Sequence, residues 1–169
     1  MIPAFHTWTD QGKTFTQIDG PTKRAILASY AVRYQLGVFI ETGTCNGDCL
    51  LTLKGLFWHC VSIELDEKQY DFTLQKLAPY PHLYLLQGDS AILLPKILAE
   101  LKEPALFWLD AHGENWIGPI VKELEAIFAT NAKGAILIDD MDYITDTLPT
   151  DPRWQEESRE YGIVRLLNV

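Results

Sequence analysis

Five short apolar runs recur along the chain, and longer stretches with a helical spacing of apolar residues separate them. Each run is too short for a helix and contains β-branched, aromatic or other large apolar residues, which predicts a buried β-strand. The runs are VFI at 38–40, CVSI at 60–63, LYLL at 83–86, ALFWL at 105–109 and AILI at 135–138.

The segments between these runs predict helices. Segment 21–37 opens with Pro21 and stops at Gly37, the order in which helix ends favour these residues. Segment 118–134 has the same layout and places its apolar residues on one face. Shorter helices are expected at 48–57, 67–78 and 90–101. Pro95 is expected to split or delay the last of them. This alternation predicts an α/β fold: a Rossmann-like, doubly wound, mostly parallel sheet with helices on both faces.

Charge and composition narrow the range of partners. The 169 residues suffice for a single domain, and the net charge of −9 comes without a stripe of Lys and Arg. Proteins that hold nucleic acid backbones cluster those residues, so no nucleic acid partner is expected. Lys23 and Arg24 form the only adjacent basic pair, which we interpret as a solvated helix face. No apolar run reaches the ~20 residues that cross a bilayer, and the N-terminus lacks a signal-peptide layout. A cytoplasmic protein without a membrane partner is expected.

Every predicted strand ends on or near an acidic group. In chain order these groups are Glu41, Glu64, Asp89, Asp110 and the pair Asp139–Asp140. Ligands of open parallel sheets bind at the carboxyl ends of the strands, where these acids would converge. The pattern predicts a site for a ligand that carries positive charge.

The first strand end, ETGTCNGDC at 41–49, indicates which ligand this is. Gly43 and Gly47 have the spacing G-x-x-x-G, whereas dinucleotide sites have G-x-G-x-x-G. Asp48, at the start of the next predicted helix, would repel a pyrophosphate. Glu64 follows Glu41 by 23 residues, where a carboxylate can accept both hydroxyls of a ribose; the alternative is a helix-capping or solvated acid. A nucleoside with an ammonium and a sulfonium group, such as S-adenosylmethionine, fits this pattern.

Several motifs together resemble those of a known family. They are ETGTCNGDC, SIELD, QGDSAILLP, FWLDAHG and ILIDD, spread over residues 22–142. With these motifs the chain resembles class I S-adenosylmethionine-dependent methyltransferases, and among them the small metal-dependent O-methyltransferases of the catechol type. FWLDAHG and ILIDD are also similar to uncharacterised bacterial methyltransferase-like proteins, some of them linked to glycan or secondary-metabolite pathways.

The resemblance implies roles for the residues at the strand ends. The methionine part of the cofactor would lie against Glu41, Thr42 and Gly43, with Gly47 in register in the same motif. Glu64 would bind the ribose, Leu65 would lie against the adenine, and Gly88, Asp89 and Ser90 would meet its edge.

The resemblance also implies a Mg²⁺ ion held by Asp110, Asp139 and Asp140, since hard cations prefer oxygen ligands. Alternatively, Asp110 binds the ammonium group of the cofactor and no metal is present. The catechol-type enzymes have a catalytic lysine three residues after the fourth-strand Asp, where this chain has Gly113. His112 is the nearest substitute as a general base. It could equally orient the loop through a backbone hydrogen bond.

The ends of the chain depart from the family's seven-stranded pattern. We divide the single domain of residues 1–169 into an N-terminal arm or lid at 1–20, a cofactor-binding core at 21–140 and a shortened C-terminal region at 141–169. The last region has room for a short helix and one strand near 161–167, so the C-terminal strands are expected to be incomplete. An unpaired strand GIVRLL would be a template for a second copy, which predicts a homodimer.

The sequence therefore predicts an S-adenosylmethionine-dependent O-methyltransferase that acts on a small hydroxylated acceptor, such as a sugar, glycan or secondary metabolite, with Mg²⁺ as a candidate second cofactor. Two alternatives remain open at this point. One is a protein that binds S-adenosylmethionine without turnover, and the other is an NAD-dependent oxidoreductase.

Overall fold

A computed structural model describes residues 5–10, 13–112, 118–144, 147–160 and 162–169. The strands are β1 (Phe5–Asp10), β2 (Lys13–Ile18), β3 (Val38–Thr42), β4 (His59–Glu64), β5 (Leu83–Gln87), β6 (Ala105–Leu109), β7 (Gly134–Ile138), β8 (Gln155–Glu160) and β9 (Ile163–Asn168). The helices are α1 (Gly20–Arg33), α2 (Asp48–Leu53), α3 (Glu67–Leu77), α4 (Ser90–Glu100) and α5 (Ile120–Phe128). No described helix is long and apolar enough to cross a membrane.

Seven strands form one sheet in the order β5-β4-β3-β6-β7-β9-β8, with β3 to β7 parallel to one another. All five strands predicted from the apolar runs are present, and β3, β6 and β7 are buried along their whole length. The predicted doubly wound α/β fold is confirmed. From β3 the chain adds β4 and β5 on one side, and from β6 it adds β7 on the other side. The loops after β3 and β6 therefore border the expected ligand crevice.

The two faces of the sheet have separate apolar cores. Along β3, Phe39 belongs to the core that helices α1, α2 and α3 cover, whereas Ile40 belongs to the core beneath α4 and α5. Along β6, Trp108 and Phe107 divide in the same way. Because both faces are covered, the polar side chains of these strands lie mainly at the strand ends.

Pro95 neither splits nor delays α4, contrary to expectation, since the helix runs unbroken from Ser90 to Glu100. Proline at this position removes the hydrogen bond that its amide would donate to the carbonyl of Ala91. The packing of Leu94 and Leu98 against the sheet keeps the helix in place despite this loss.

The expectation of incomplete C-terminal strands was wrong. Strands β8 and β9 form an antiparallel hairpin, and β9 also pairs with β7. The two strands need only residues 161 and 162 between them, with Gly162 in the left-handed region at φ 75°. The reason for expecting a homodimer is thereby removed, because GIVRLL is paired on both sides. The outer strand is β8, QEESRE, whose exposed charges disfavour pairing with another chain.

Residues 5–10 and 13–18 of the expected N-terminal arm form a separate antiparallel hairpin of β1 and β2. Three contacts dock β2 on the turn that follows β7. The Thr16 N–H donates to Asp142 Oδ2 at 3.3 Å, and Gln17 Nε2 donates to Asp140 Oδ1 at 2.7 Å. The ring of Phe15 stacks on Tyr143 with 4.9 Å between centroids. The hairpin is thus held at the carboxyl edge of the parallel strands.

If the C-terminal hairpin is an integral part of the core, Ile163→Ala should lower the free energy of unfolding by about 2–4 kcal/mol. Ile163 is 0% exposed and belongs to the apolar core on the side of the sheet that helices α1 to α3 cover. Urea denaturation measures the change. The control is Val169→Ala, which removes an apolar side chain that is 70% exposed and should change stability by less than about 0.5 kcal/mol. Equal, small effects of both changes would contradict this architecture.

Candidate functional site

A large open cleft of about 1240 Å³ lies at the carboxyl ends of the parallel strands. Seven of the residues predicted to bind the cofactor line it: Gly43, Glu64, Leu65, Gly88, Asp89, Ser90 and Asp110. His112 and Asp140 line it as well. The structure therefore brings most of the predicted site together.

Gly43 brings the loops after β3 and β6 into contact. Its φ of 83° lies in the left-handed region, and a Cβ at this position would lie 2.6 Å from the carbonyl oxygen of Asp110. A larger residue would push the two loops apart. Glycine at 43 is thus required for the cleft to begin where β3 and β6 end. Gly47 has a φ of 73° and precedes α2; a Cβ there would meet Thr73 of α3.

Glu64 is held in place at the end of β4 by two backbone amides. Its Oε2 accepts a hydrogen bond from the N–H of Cys45 at 2.9 Å, and its Oε1 accepts one from the N–H of Asp66 at 3.0 Å. The residue is 9% exposed and lines the cleft. Each carboxylate oxygen has a further lone pair, so the group can still accept hydrogen bonds from ligand hydroxyls.

The neighbouring part of the cleft combines an apolar surface with polar groups. Leu65 is 64% exposed although it is apolar, and it lines the cleft beside Glu64. Asp89 caps α4 by accepting a hydrogen bond from the Ala91 N–H at 2.8 Å. Ser90 is buried beneath it. An aromatic base with hydrogen-bonding edges would be matched by this surface.

Glu41 and Thr42 lie beneath the loop and are absent from the described lining of the cleft. Glu41 is 2% exposed and accepts a hydrogen bond from Ser62 Oγ at 2.6 Å. Burial raises the pKa of Glu41 to about 8, although hydrogen bonds from Ser62 and Cys49 moderate the rise. In this structure Glu41 ties β3 to β4, and its contact with the cofactor stays a prediction.

The acids that follow β6 and β7 lie at the other end of the cleft. Strand β7 ends at Ile138, and Asp140 then turns away with a φ of 52°, so Asp139 and Asp140 no longer point to opposite faces. Among the described residues, the ligand-type side chains that converge are Asp110, His112 and Asp140, whose ligand atoms lie within 4.8 Å of one another. His112 Nε2 is 3.5 Å from Asp140 Oδ2.

Burial disfavours ionisation of two of these acids. Burial, followed by the charge of Asp139, raises the pKa of Asp110 well above its ordinary value. The pKa of Asp139 is raised by burial as well, although Lys23 opposes the rise. A cation between neighbouring carboxylates favours their charged forms.

Lys23 supplies such a cation, although the sequence analysis placed this residue on a solvated helix face. Lys23 does not lie on a solvated helix face: its side chain is 14% exposed, and its Nζ donates to Asp139 Oδ2. It also lines the cleft. No local signal in the sequence placed it, because its carboxylate partner lies 116 residues away in the chain. Gln17, which donates to Asp140 from β2, was missed for the same reason.

Solved structures with the same fold are numerous. A methyltransferase of Podospora anserina bound to S-adenosylhomocysteine has a TM-score of 0.69 and 15% identity, over 88% of this chain and 79% of that chain. An O-methyltransferase of Bacillus cereus, also with S-adenosylhomocysteine, has a TM-score of 0.68 and 16% identity, over 88% and 82%. The chain thus shares the fold of these methyltransferases.

A third structure is the O-methyltransferase TomG of Streptomyces achromogenes, involved in tomaymycin synthesis and solved with S-adenosylmethionine. Its TM-score is 0.61 with 17% identity, over 73% of this chain and 56% of that one. Neither a protein-family model nor a curated protein sequence matches the chain. At these identities the likeness concerns the methyltransferase fold and leaves the chemistry to the residues of the cleft.

Helix α5 contains a buried acid that the sequence analysis did not single out. Glu123 of α5 is 0% exposed, and within the described part of the chain neither of its oxygens makes a hydrogen bond of normal geometry. Thr42 Oγ1 is also buried and, among the described residues, makes no hydrogen bond of normal geometry. Burial raises the pKa of Glu123 to about 7, and the nearby hydroxyls of Ser90 and Thr42 moderate the rise.

Because the pKa of Glu123 is raised on folding, the folded protein binds more protons than the unfolded chain between about pH 4.5 and 7. Stability should therefore fall as the pH rises through this window. Glu123→Gln removes this dependence and should stabilise the protein at pH 8 by roughly 1–3 kcal/mol relative to the unchanged chain. Urea unfolding at pH 5 and pH 8 measures both effects. Glu125→Gln, at an exposed position of the same helix, is the control. A Glu123→Gln effect that is independent of pH would argue against this account.

Proposed function

We propose that this protein is an S-adenosylmethionine-dependent methyltransferase that transfers the methyl group to a hydroxyl of a small acceptor. The observation that carries the proposal is the Glu64 carboxylate, fixed by two backbone amides at the end of β4 and presented to the cleft beside the exposed Leu65. A ribose with an adjoining base has the matching groups. The solved structures of like fold that contain S-adenosylhomocysteine or S-adenosylmethionine support this assignment.

The charge of the cleft favours the same ligand over a dinucleotide. Asp110 adjoins Gly43 and lines the cleft, while Asp48 lies in the first turn of α2. Negative charge near the N-terminus of that helix opposes a pyrophosphate. A ligand with an ammonium and a sulfonium group would instead stabilise the ionised form of Asp110.

His112 and Asp140 are placed to manage the proton of the acceptor. S-adenosylmethionine, when bound, supplies an electrophilic methyl carbon, so the protein has to align the hydroxyl oxygen and remove its proton. We assign the proton to His112, which lines the cleft. The carboxylate of Asp140, 3.5 Å from His112 Nε2, would stabilise the imidazolium that results.

The expected Mg²⁺ triad does not fit the arrangement of the acids. Asp139 is 1% exposed at its side chain and accepts from the Lys23 ammonium, whereas Asp110 and Asp140 converge with His112. An imidazole nitrogen in place of a carboxylate oxygen makes the set less suited to Mg²⁺. The proposal therefore uses no magnesium ion.

The polar part of the remaining lining would suit a hydroxylated acceptor. Gln17, Lys122 and Thr147 contribute to it together with His112 and Lys23, beside apolar residues such as Ile63 and Val121. Donors of this kind match the many hydroxyls of a sugar or polyol better than a flat apolar ring. The net charge of −9 supports a small molecule over a nucleic acid.

Binding of S-adenosylhomocysteine tests the cofactor assignment. Isothermal titration calorimetry should show binding of S-adenosylhomocysteine and none of NAD⁺. Glu64→Gln should weaken the S-adenosylhomocysteine complex by about tenfold to hundredfold. A neutral amide would replace the carboxylate that accepts hydrogen bonds from the ribose hydroxyls.

The matched control is Glu67→Gln, which removes one negative charge from the exposed first turn of α3 without changing the cleft lining. Its affinity should stay within about twofold of the unchanged protein. An unaltered affinity in Glu64→Gln would contradict the ribose assignment, and binding of NAD⁺ alone would favour an oxidoreductase.

Methyl transfer itself can be followed with tritium-labelled S-adenosylmethionine, with methyl glucoside as the sugar probe and catechol as the phenolic probe. His112→Asn should reduce kcat by about 100-fold or more, because it removes a general base. The affinity for S-adenosylhomocysteine should be retained. His59→Asn changes an exposed histidine at the amino end of β4, the end away from Glu64, and should leave kcat unchanged. Equal rates in both variants would remove His112 from the chemistry.

A further inference from the structure

Lys23 places an ammonium group among the carboxylates at the end of the cleft. Its Nζ donates to Asp139 Oδ2 and lies 4.0 Å from Asp140 Oδ1. The side chains of Lys23 and Asp139 are 14% and 1% exposed, so water and salt screen this ion pair far less than a surface pair.

The position of Lys23 on its helix is unfavourable without these acids. The residue lies in the first turn of α1, where the helix dipole opposes positive charge. Asp19, the N-cap, accepts a hydrogen bond from the Thr22 N–H and offsets part of this effect. Burial of the ammonium adds a further cost. The carboxylates of Asp139 and Asp140, which come from the far end of the chain, provide the ion-pair partners that stabilise the charge.

The contacts of Lys23 define its role in this cluster. Its Nζ forms an ion pair with Asp139 Oδ2 and lies 4.0 Å from Asp140 Oδ1, and it lines the cleft together with Asp110. A lysine ammonium in this position is a compact point charge beside the carboxylates.

The carboxylate oxygens of the pair after β7 already have partners. Asp139 Oδ1 accepts from the Asp140 N–H at 2.9 Å, and its Oδ2 accepts from Lys23. Asp140 Oδ1 accepts from Gln17 at 2.7 Å, while its Oδ2 faces His112 at 3.5 Å. A divalent ion bound here would compete with these donors for the carboxylate oxygens and would lie beside the Lys23 ammonium, which repels it.

We infer that Lys23 is the resident cation of the cluster formed by Asp110, Asp139 and Asp140, and that it excludes divalent ions from that cluster. In methyl transfer the ammonium would neutralise the acids and fix Asp140 behind His112, an electrostatic task that metal ions perform in other enzymes. This catalytic part rests on the proposed function. The exclusion of divalent ions does not.

Mn²⁺ binding, followed by the electron paramagnetic resonance signal of the free ion, tests the exclusion directly. The unchanged protein should bind no Mn²⁺ up to about 1 mM, the range of weak protein sites for divalent ions. Lys23→Met keeps an unbranched side chain, one atom shorter, and removes its charge. It should bind one Mn²⁺ per chain, at least about tenfold more tightly than the unchanged protein. Adding Asp110→Asn to Lys23→Met should abolish this binding.

Arg24→Met is the matched control, because it removes the same charge from the neighbouring residue of α1, which is not part of the cleft lining. It should not create a Mn²⁺ site. Mn²⁺ should also raise the Tm of Lys23→Met and leave that of the unchanged protein constant. Binding of one Mn²⁺ by the unchanged protein, lost in Asp110→Asn, would overturn the inference. So would a folded Lys23→Met protein that binds none.

Should Lys23→Met fail to fold, Lys23→Gln provides the same comparison, and the result for the unchanged protein can still refute the inference. Methyl transfer that persists in excess chelator supports the catalytic part, and transfer that requires added Mg²⁺ refutes it. Loss of S-adenosylhomocysteine binding, by contrast, would refute the proposed function and leave the Mn²⁺ results standing. The two failures are thereby distinguishable.

Discussion

Burial of both faces of the central parallel strands β3, β6 and β7 is the constraint from which the site follows. Their side chains have no solvated face to occupy, so the polar groups that these strands present to solvent lie at or just beyond their carboxyl ends. Parallel orientation gathers those ends at one edge. Glu64, Asp110 and Asp140 meet around one cleft for this reason, although they are far apart in the sequence. The acidity of the cleft is thus a property of the whole sheet.

A concentration of carboxylates at one edge has to be stabilised, and the protein does so in two ways. Backbone amides satisfy Glu64, which stays close to solvent and needs no countercharge. The more deeply buried Asp139 receives the ammonium of Lys23 instead. The first solution keeps a carboxylate available to a ligand. The second neutralises one that would otherwise oppose folding.

Much of the fold could be predicted because apolar runs report burial directly. The five parallel strands, the helices between them and most of the cofactor-side residues follow from local patterns. Strand β8 could not be predicted, since QEESRE is an exposed edge strand without an apolar residue. Lys23 could not be placed either, because its partner lies 116 residues away and only the tertiary fold brings the two together. Glu123 is a different case: it follows Ile120 by three residues and precedes Ile127 by four, so the helical spacing alone places it on the buried face of α5.

The order of the sheet also differs from the order in which its strands are synthesised. Strand β9 lies between β7 and β8, although it follows both in the chain. A nascent chain that has emerged from the ribosome only as far as β8 therefore has no neighbour for that strand, and its fully apolar β7 is an open edge. Such an edge is exposed to other chains until β9 arrives. The charges of β8 keep that waiting segment soluble, so its polar sequence protects the chain before the sheet closes as well as afterwards.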